Sequence, residues 1–126
     1  MSMTGKYELV SHENFEPFMK AFGIQDDLIQ KVLVAKIIYE IVQNGKDFKF
    51  KVTTGDNVLH NEFTIGKEAE IEILTGEKFK IVAQLEGGKL ILQFKGIQTI
   101  TELTGDILTI VMTKGDITGK RILKRI

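Results

Sequence analysis

The stretch K-G-D-I-T-G-K-R-I-L-K-R-I, Lys114 to Ile126, decides how the rest of the chain reads. Lys114-Gly115 is a hairpin-type turn, and the residues after it alternate in character. In a strand, neighbouring side chains point to opposite faces, so Ile117, Gly119, Arg121 and Leu123 share one face and Lys120, Ile122 and Lys124 the other. Two of the latter three are charged, which places their face in water and turns the first face inward. The inward face then carries one guanidinium, Arg121, among small or apolar neighbours. Arginine stays protonated when buried and needs an anion or several acceptors. The pattern predicts an apolar chamber with this cation at its base; in the plainer alternative the tail is solvated and Arg121 is one basic residue among several.

The same rhythm extends back through the chain. Ile37–Gln43, Asp47–Thr53, Val58–Phe63, Glu68–Leu74, Lys78–Leu85, Lys89–Phe94, Gln98–Leu103 and Ile107–Thr113 read as strands, as do Lys6–Val10 and Asp116–Arg125. Short glycine turns separate them, among them Asn44-Gly45, Glu86-Gly87-Gly88, Lys95-Gly96 and Thr104-Gly105. Ten strands without a long crossover predict a mostly-β fold, a ten-stranded up-and-down antiparallel β-barrel. A β-sandwich is the alternative, but it needs longer connections.

One segment breaks the rhythm. Between the first two strands, Phe15, Phe18, Met19 and Phe22 stand at helical spacing, with Asn14 as N-cap and Gly23 as stop. Leu28, Ile29, Val32 and Leu33 give a second short helix that begins at Gln25 or Asp26. The pair, residues 14–35, is a helix-turn-helix in shape. Its second helix has no cluster of Arg, Lys, Asn and Gln, so it is not a DNA reader.

Alternation sorts the barrel faces. Phe48, Phe50 and Val52 point one way, as do Leu59, Asn61 and Phe63, then Leu90, Leu92 and Phe94, and finally Leu108, Ile110 and Met112. Hydrophobicity does not fix the phase of Gln98–Leu103. If it matches its neighbours, Thr99 and Thr101 are inward and within reach of Arg121. A barrel this wide encloses space that side chains do not fill, and an apolar cavity with a few polar groups suits an amphipathic small molecule.

Composition removes other classes. Seventeen basic and 17 acidic residues give zero formal net charge, which is no footprint for nucleic acid. Without cysteine there are no disulfides, thiolate metal sites or thiol nucleophiles, and two distant histidines do not make a metal site. No cofactor is called for. The first residues, M-S-M-T-G-K, lack the apolar core of a secretory signal, and no stretch is long enough to span a membrane, so a cytoplasmic, soluble protein is the expectation. His12 and His60 read as surface residues. No nucleophile–base–orienter set is visible, which leaves an esterase or isomerase reading without machinery.

The opening T-G-K-Y-E-L-V-S-H-E-N-F-E-P-F-M-K-A-F-G-I, the central E-I-V-Q-N-G-K-D-F-K-F, the N-E-F-T-I-G-K-E and the closing G-D-I-T-G-K-R-I-L-K-R-I resemble the intracellular lipid-binding proteins. The nearest branch is the liver-type fatty-acid-binding proteins, followed by the ileal and liver bile-acid-binding proteins. The resemblance runs along essentially the whole chain and implies one domain, residues 1–126. It further implies a clam-shaped barrel under a helical lid, and a monomeric carrier of fatty acids or similar amphiphiles with transient membrane contact. In that frame Arg121 matches the family's internal arginine. Asn61, Glu72, Thr99 and Thr101 stand at inward positions, and Lys31, Thr54, Asp56, Asn57 and Ile73 at the portal.

The chain also departs from that branch. Tyr39 stands where a ligand-binding serine is usual, Ile110 replaces an asparagine, Leu123 a serine and Gly119 an aromatic residue, while the end of the lid reads V-L-V-A at Val32 to Ala35. With fewer polar groups inside, Arg121 must meet a ligand carboxylate, water, Thr101 or Tyr39, and a single, more apolar guest is expected. Gly119 opens room, and Tyr39, Ile110 and Leu123 fill it. The departures fit a divergent natural member or a repacked, engineered variant with weak or altered binding. A bile-acid carrier is a further alternative.

Overall fold

The computed structural model describes residues 2–73, 75–94 and 96–126. Along the chain lie β1 (Gly5–Glu13), α1 (Phe15–Phe22), α2 (Asp26–Val34), β2 (Ile37–Asn44), β3 (Asp47–Thr54), β4 (Asn57–Thr64) and β5 (Glu68–Glu72). They are followed by β6 (Lys78–Val82), β7 (Gln84–Glu86), β8 (Lys89–Phe94), β9 (Ile97–Thr104), β10 (Ile107–Lys114) and β11 (Ile117–Arg125). Two residues named from sequence, Leu74 at the end of the fifth strand and Lys95 of the Lys95-Gly96 turn, lie outside the described residues.

Nine strands form one curled antiparallel sheet in the order β4-β3-β2-β1-β11-β10-β9-β8-β7, and β5 and β6 form a separate hairpin. The first and last strands are neighbours, with Leu9 opposite Leu123 and His12 opposite Arg121. Every other pairing joins strands adjacent in sequence, the up-and-down arrangement read from the glycine turns. At Gly45 and Gly105 the turns require φ of 62°, which glycine adopts without the steric cost of a Cβ.

Eleven strands replace the expected ten because Lys78–Leu85 divides at Ala83. Val82 pairs with Glu68 of β5, whereas Gln84 pairs with Ile91 of β8. The carbonyl of Ala83 accepts the N–H of Gly66 at 2.9 Å, and the residue is fully buried. The run therefore passes from one sheet to the other at a residue whose backbone is held by the β4–β5 connection.

The first strand also runs past its expected end, to Glu13, through a bulge between Leu9 and Ser11. The extra residue reverses the alternation beyond it. Tyr7 and Leu9 face inward, and after the bulge Ser11 is exposed while His12 turns toward the interior opposite Arg121. His60, by contrast, is exposed as expected.

The lid sits on β10 and β11. Asn14 occupies the cap position of α1 in a left-handed conformation, and its amide donates not to the helix but to the Thr118 carbonyl at 2.9 Å, tying the helix start to β11. Gly23 ends α1 at φ 94°; the Gly23 N–H reaches the Lys20 carbonyl and the Ile24 N–H the Met19 carbonyl. Phe15, Phe18 and Met19 are buried beneath it. Gly119 permits this docking: a Cβ there would stand 2.9 Å from Cβ of Phe18 and 3.3 Å from the Phe15 ring. The room that Gly119 opens is thus taken by the lid, not left for a guest. In α2, Ile29 and Val32 are buried and Val34 is 84 % exposed.

Candidate functional site

Beneath the lid lies a cavity of about 230 Å³. Its wall is built as the alternation requires: Tyr39 from β2, Phe50 from β3, Leu59, Asn61 and Phe63 from β4, and Glu72 from β5. Leu92 and Phe94 of β8, Thr99 and Thr101 of β9, and Ile110 and Met112 of β10 complete the far side, with Arg121 of β11. The open question of phase in β9 is thereby answered. Both threonines are inward, because Ile110 pairs with Thr101 on one side and Arg121 on the other, and paired residues share a face.

Three residues expected on the wall are not there. Phe48, Leu90 and Leu108 are inward but almost completely buried in the packed core, where the space has already closed. Leu123 shares that fate. Alternation gives the face of a residue but not its depth along the barrel. Conversely, the lid supplies wall residues that read from sequence as lid packing alone, namely Phe15, Phe18 and Phe22, and β3 and β5 add Val52 and Ile71. The helical spacing of the phenylalanines was the available signal, since a lid over a hollow barrel turns the same apolar stripe toward the hollow.

Of the portal set, Thr54 and Ile73 line the cavity; Lys31, Asp56 and Asn57 are exposed and off its wall. The turn carrying Asp56 is nevertheless tied to the connection between α2 and β2, because the Gly55 N–H donates to the Lys36 carbonyl at 3.1 Å.

Asn61 has a task other than the one its inward position implied. Its side-chain amide donates to the Glu72 carbonyl at 2.9 Å and accepts the Glu72 N–H at 2.8 Å. The two bonds imitate a strand pair across the gap between β4 and β5, where no backbone ladder forms.

Among the described residues the cavity wall carries one cation, Arg121. It is 7 % exposed, and Nη1 donates to the Tyr39 hydroxyl at 2.8 Å. The guanidinium carbon lies 4.3 Å from the centre of the Phe15 ring, a cation–π contact. Nε is buried without a hydrogen-bond partner, and among the described residues no carboxylate pairs with the guanidinium. Of the partners open to it, the structure uses the Tyr39 hydroxyl. That oxygen, having accepted from Arg121, keeps its own proton to donate.

His12 flanks this arrangement. Its imidazole stacks on Phe15 with centres 4.9 Å apart and planes 6° from parallel, and its Nε2 is buried without a partner. The expectation of a surface histidine fails because the bulge in β1 changes the face. Burial pushes its pKa below 6.5, and the nearby Arg121 charge lowers it further. Among the described residues no group of histidine, cysteine, aspartate and glutamate could hold a metal ion.

Comparison with known proteins agrees with this construction. Residues 1–126 match the family model described as the lipocalin / cytosolic fatty-acid binding protein family. The chain is 60 % identical to the liver fatty acid-binding protein of Sus scrofa, with all of both chains covered, and 59 % identical to fatty acid-binding protein 1, liver, of Ambystoma mexicanum, with 99 % and 100 % covered. Among solved structures it is similar to zebrafish ileal bile acid-binding protein complexed with cholic acid, at 40 % identity and a TM-score of 0.86 with 98 % of each chain covered. The REP1-NXSQ fatty acid transporter aligns at 28 % identity and a TM-score of 0.93, with 98 % of this chain and 96 % of that chain covered. Natural relatives at this identity lend no support to an engineered origin. By sequence over its full length, and by the barrel, lid and buried cation just described, this chain belongs to the lipocalin / cytosolic fatty-acid binding protein family.

Proposed function

We propose that residues 1–126 form a non-catalytic carrier that holds one long-chain fatty acid or similar amphiphile, tail in the cavity and carboxylate at Arg121. The observation that carries this reading is a buried guanidinium at a largely apolar cavity that, among the described residues, forms no ion pair with a carboxylate, Glu72 of the same wall included. Tail burial contributes about 0.8 kcal/mol per CH₂, and a charge-assisted contact about 1.5–3 kcal/mol, so the tail dominates affinity and Arg121 with Tyr39 sets orientation. Leu59, Phe94 and Met112 are among the apolar groups that meet the tail, while Thr99 and Thr101 add hydroxyls to the wall. The small cavity favours one guest over two.

The carrier needs no cofactor and no nucleic acid. It works as a cytoplasmic monomer that touches membranes transiently, and the exposed Val34 beside Lys31 at the end of the lid supports that contact. Displacement of a fluorescent fatty acid by oleate tests the reading: folded protein that shows no displacement at micromolar ligand removes it. Arg121→Leu should weaken oleate binding about tenfold or more. A bile-acid reading rests on the neighbour solved with cholic acid, and requires cholate to outcompete oleate in the same assay.

A further inference from the structure

Arg121 presents its N–H groups in the plane of the guanidinium, so a carboxylate must approach along the edge. Among the described residues the group makes one hydrogen bond, from Nη1 to Tyr39, which leaves the plane free to turn about that bond. The face of the group, however, is covered by the Phe15 ring at 4.3 Å. An aromatic face neither competes for the edge donors nor admits water on that side. Phe15 is itself held from two directions, by His12 stacked at 4.9 Å and by Phe18 at 6.1 Å. His12 is the cross-strand partner of Arg121, so one ring touches both members of a pair. Two backbone features make the contact possible. The β1 bulge turns His12 inward, and Gly119 lets α1 sit close against β11.

We propose that Phe15 is the positioning residue of the headgroup site: braced by His12, its ring fixes the plane of the Arg121 guanidinium and thereby sets the preference for a carboxylate over an uncharged head of the same chain length. The inference rests on the carrier reading above and adds which lid residue governs headgroup selectivity. Phe15 acts through Arg121, not by its own polar contact with the ligand. Removing the aromatic face while keeping an apolar side chain should loosen the guanidinium and cost ligands that use it more than ligands that only fill the cavity.

The test compares laurate with 1-dodecanol, two ligands with the same chain and different heads, in the unmodified protein and in Phe15→Leu, Phe15→Tyr and His12→Ala. In the unmodified protein laurate binds more tightly. Phe15→Leu lowers the laurate-to-dodecanol affinity ratio about three- to tenfold, over and above any loss the two ligands share from the altered cavity wall. Phe15→Tyr, which keeps the ring face, restores the ratio, and His12→Ala lowers it to a smaller extent. An equal loss for both ligands in Phe15→Leu, or an unchanged or raised ratio, overturns the inference, because a packing role treats both ligands alike. Should Phe15→Leu not fold, His12→Ala decides, and an unchanged ratio there overturns the inference. Unmodified protein that binds both ligands without preference also overturns it, and with it the placement of the carboxylate at Arg121, while binding of the tail in the cavity stands. Protein that binds neither removes the carrier reading.

Discussion

The Tyr39 hydroxyl and the Arg121 guanidinium are joined by a 2.8 Å hydrogen bond although β1 lies between their strands. This is the only hydrogen bond from the Arg121 guanidinium among the described residues, so removing the hydroxyl leaves that group without a hydrogen-bond partner.

Tyr39→Phe should therefore leave a buried donor unpaired and lower the stability of the empty protein by about 1–3 kcal/mol. A ligand carboxylate can take the vacated position, so the rise in melting temperature on adding oleate should be larger than in the unmodified protein. Thermal unfolding with and without oleate checks both, and an unchanged apo stability would show that the bond contributes little.

Asn61→Ala removes the clasp between β4 and β5 and leaves the Glu72 N–H and carbonyl without those partners. Stability should fall by about 1–3 kcal/mol, and amide exchange at Glu72 should accelerate while that of the β9–β10 ladder stays slow. Hydrogen exchange read by residue distinguishes this local opening from global loss.

Gly119→Ala places a methyl 2.9 Å from Cβ of Phe18, an atom too close to the helix backbone to swing aside. The lid must shift, at a cost of about 1–3 kcal/mol. Phe18→Gly, which removes that Cβ, should recover part of the Gly119→Ala cost in the same chain, so the two changes should be less than additive in urea unfolding.

His12 provides a pH signature. Its folded-state pKa lies below the ordinary 6.5, so the unfolded chain takes up the proton first as pH falls. The stability that the neutral imidazole contributes is complete above that ordinary value. It is lost progressively as pH drops through 6.5 toward the lower folded value, below which the loss levels off. His12→Gln should flatten this part of the stability profile, whereas replacing the exposed His60 serves as the control. Equal slopes in the His12→Gln and unmodified proteins would contradict the assignment.

Much of the molecule was legible in the chain because strands and tight turns are written locally. Alternation about Arg121 gave the inward face of β11, and the residues paired with it fell into place by the same period of two. What stayed hidden depends on contacts between segments far apart in sequence. The bulge that turns His12 inward is one extra residue opposite β11, and nothing in L-V-S-H marks it. Ala83 divides what reads as one strand, because the residues before it pair with β5 and those after it with β8, and Gly66 holds its carbonyl between the two. Asn61 reads as a polar group for a ligand until β5 comes alongside and occupies both ends of its amide.

The sequence by itself determined the short antiparallel strands joined by glycine turns, the helical pair between the first two, and the face that Arg121 shares with Ile117, Gly119 and Leu123, because side-chain period and glycine turns are properties of neighbouring residues. Only the tertiary structure decided how deep each inward side chain lies, which removed Phe48, Leu90 and Leu108 from the cavity wall, and that Phe15 and Tyr39 converge on Arg121. Depth and convergence are set by how β1, β2, β11 and the lid pack against one another, and the period of a single strand does not contain that information.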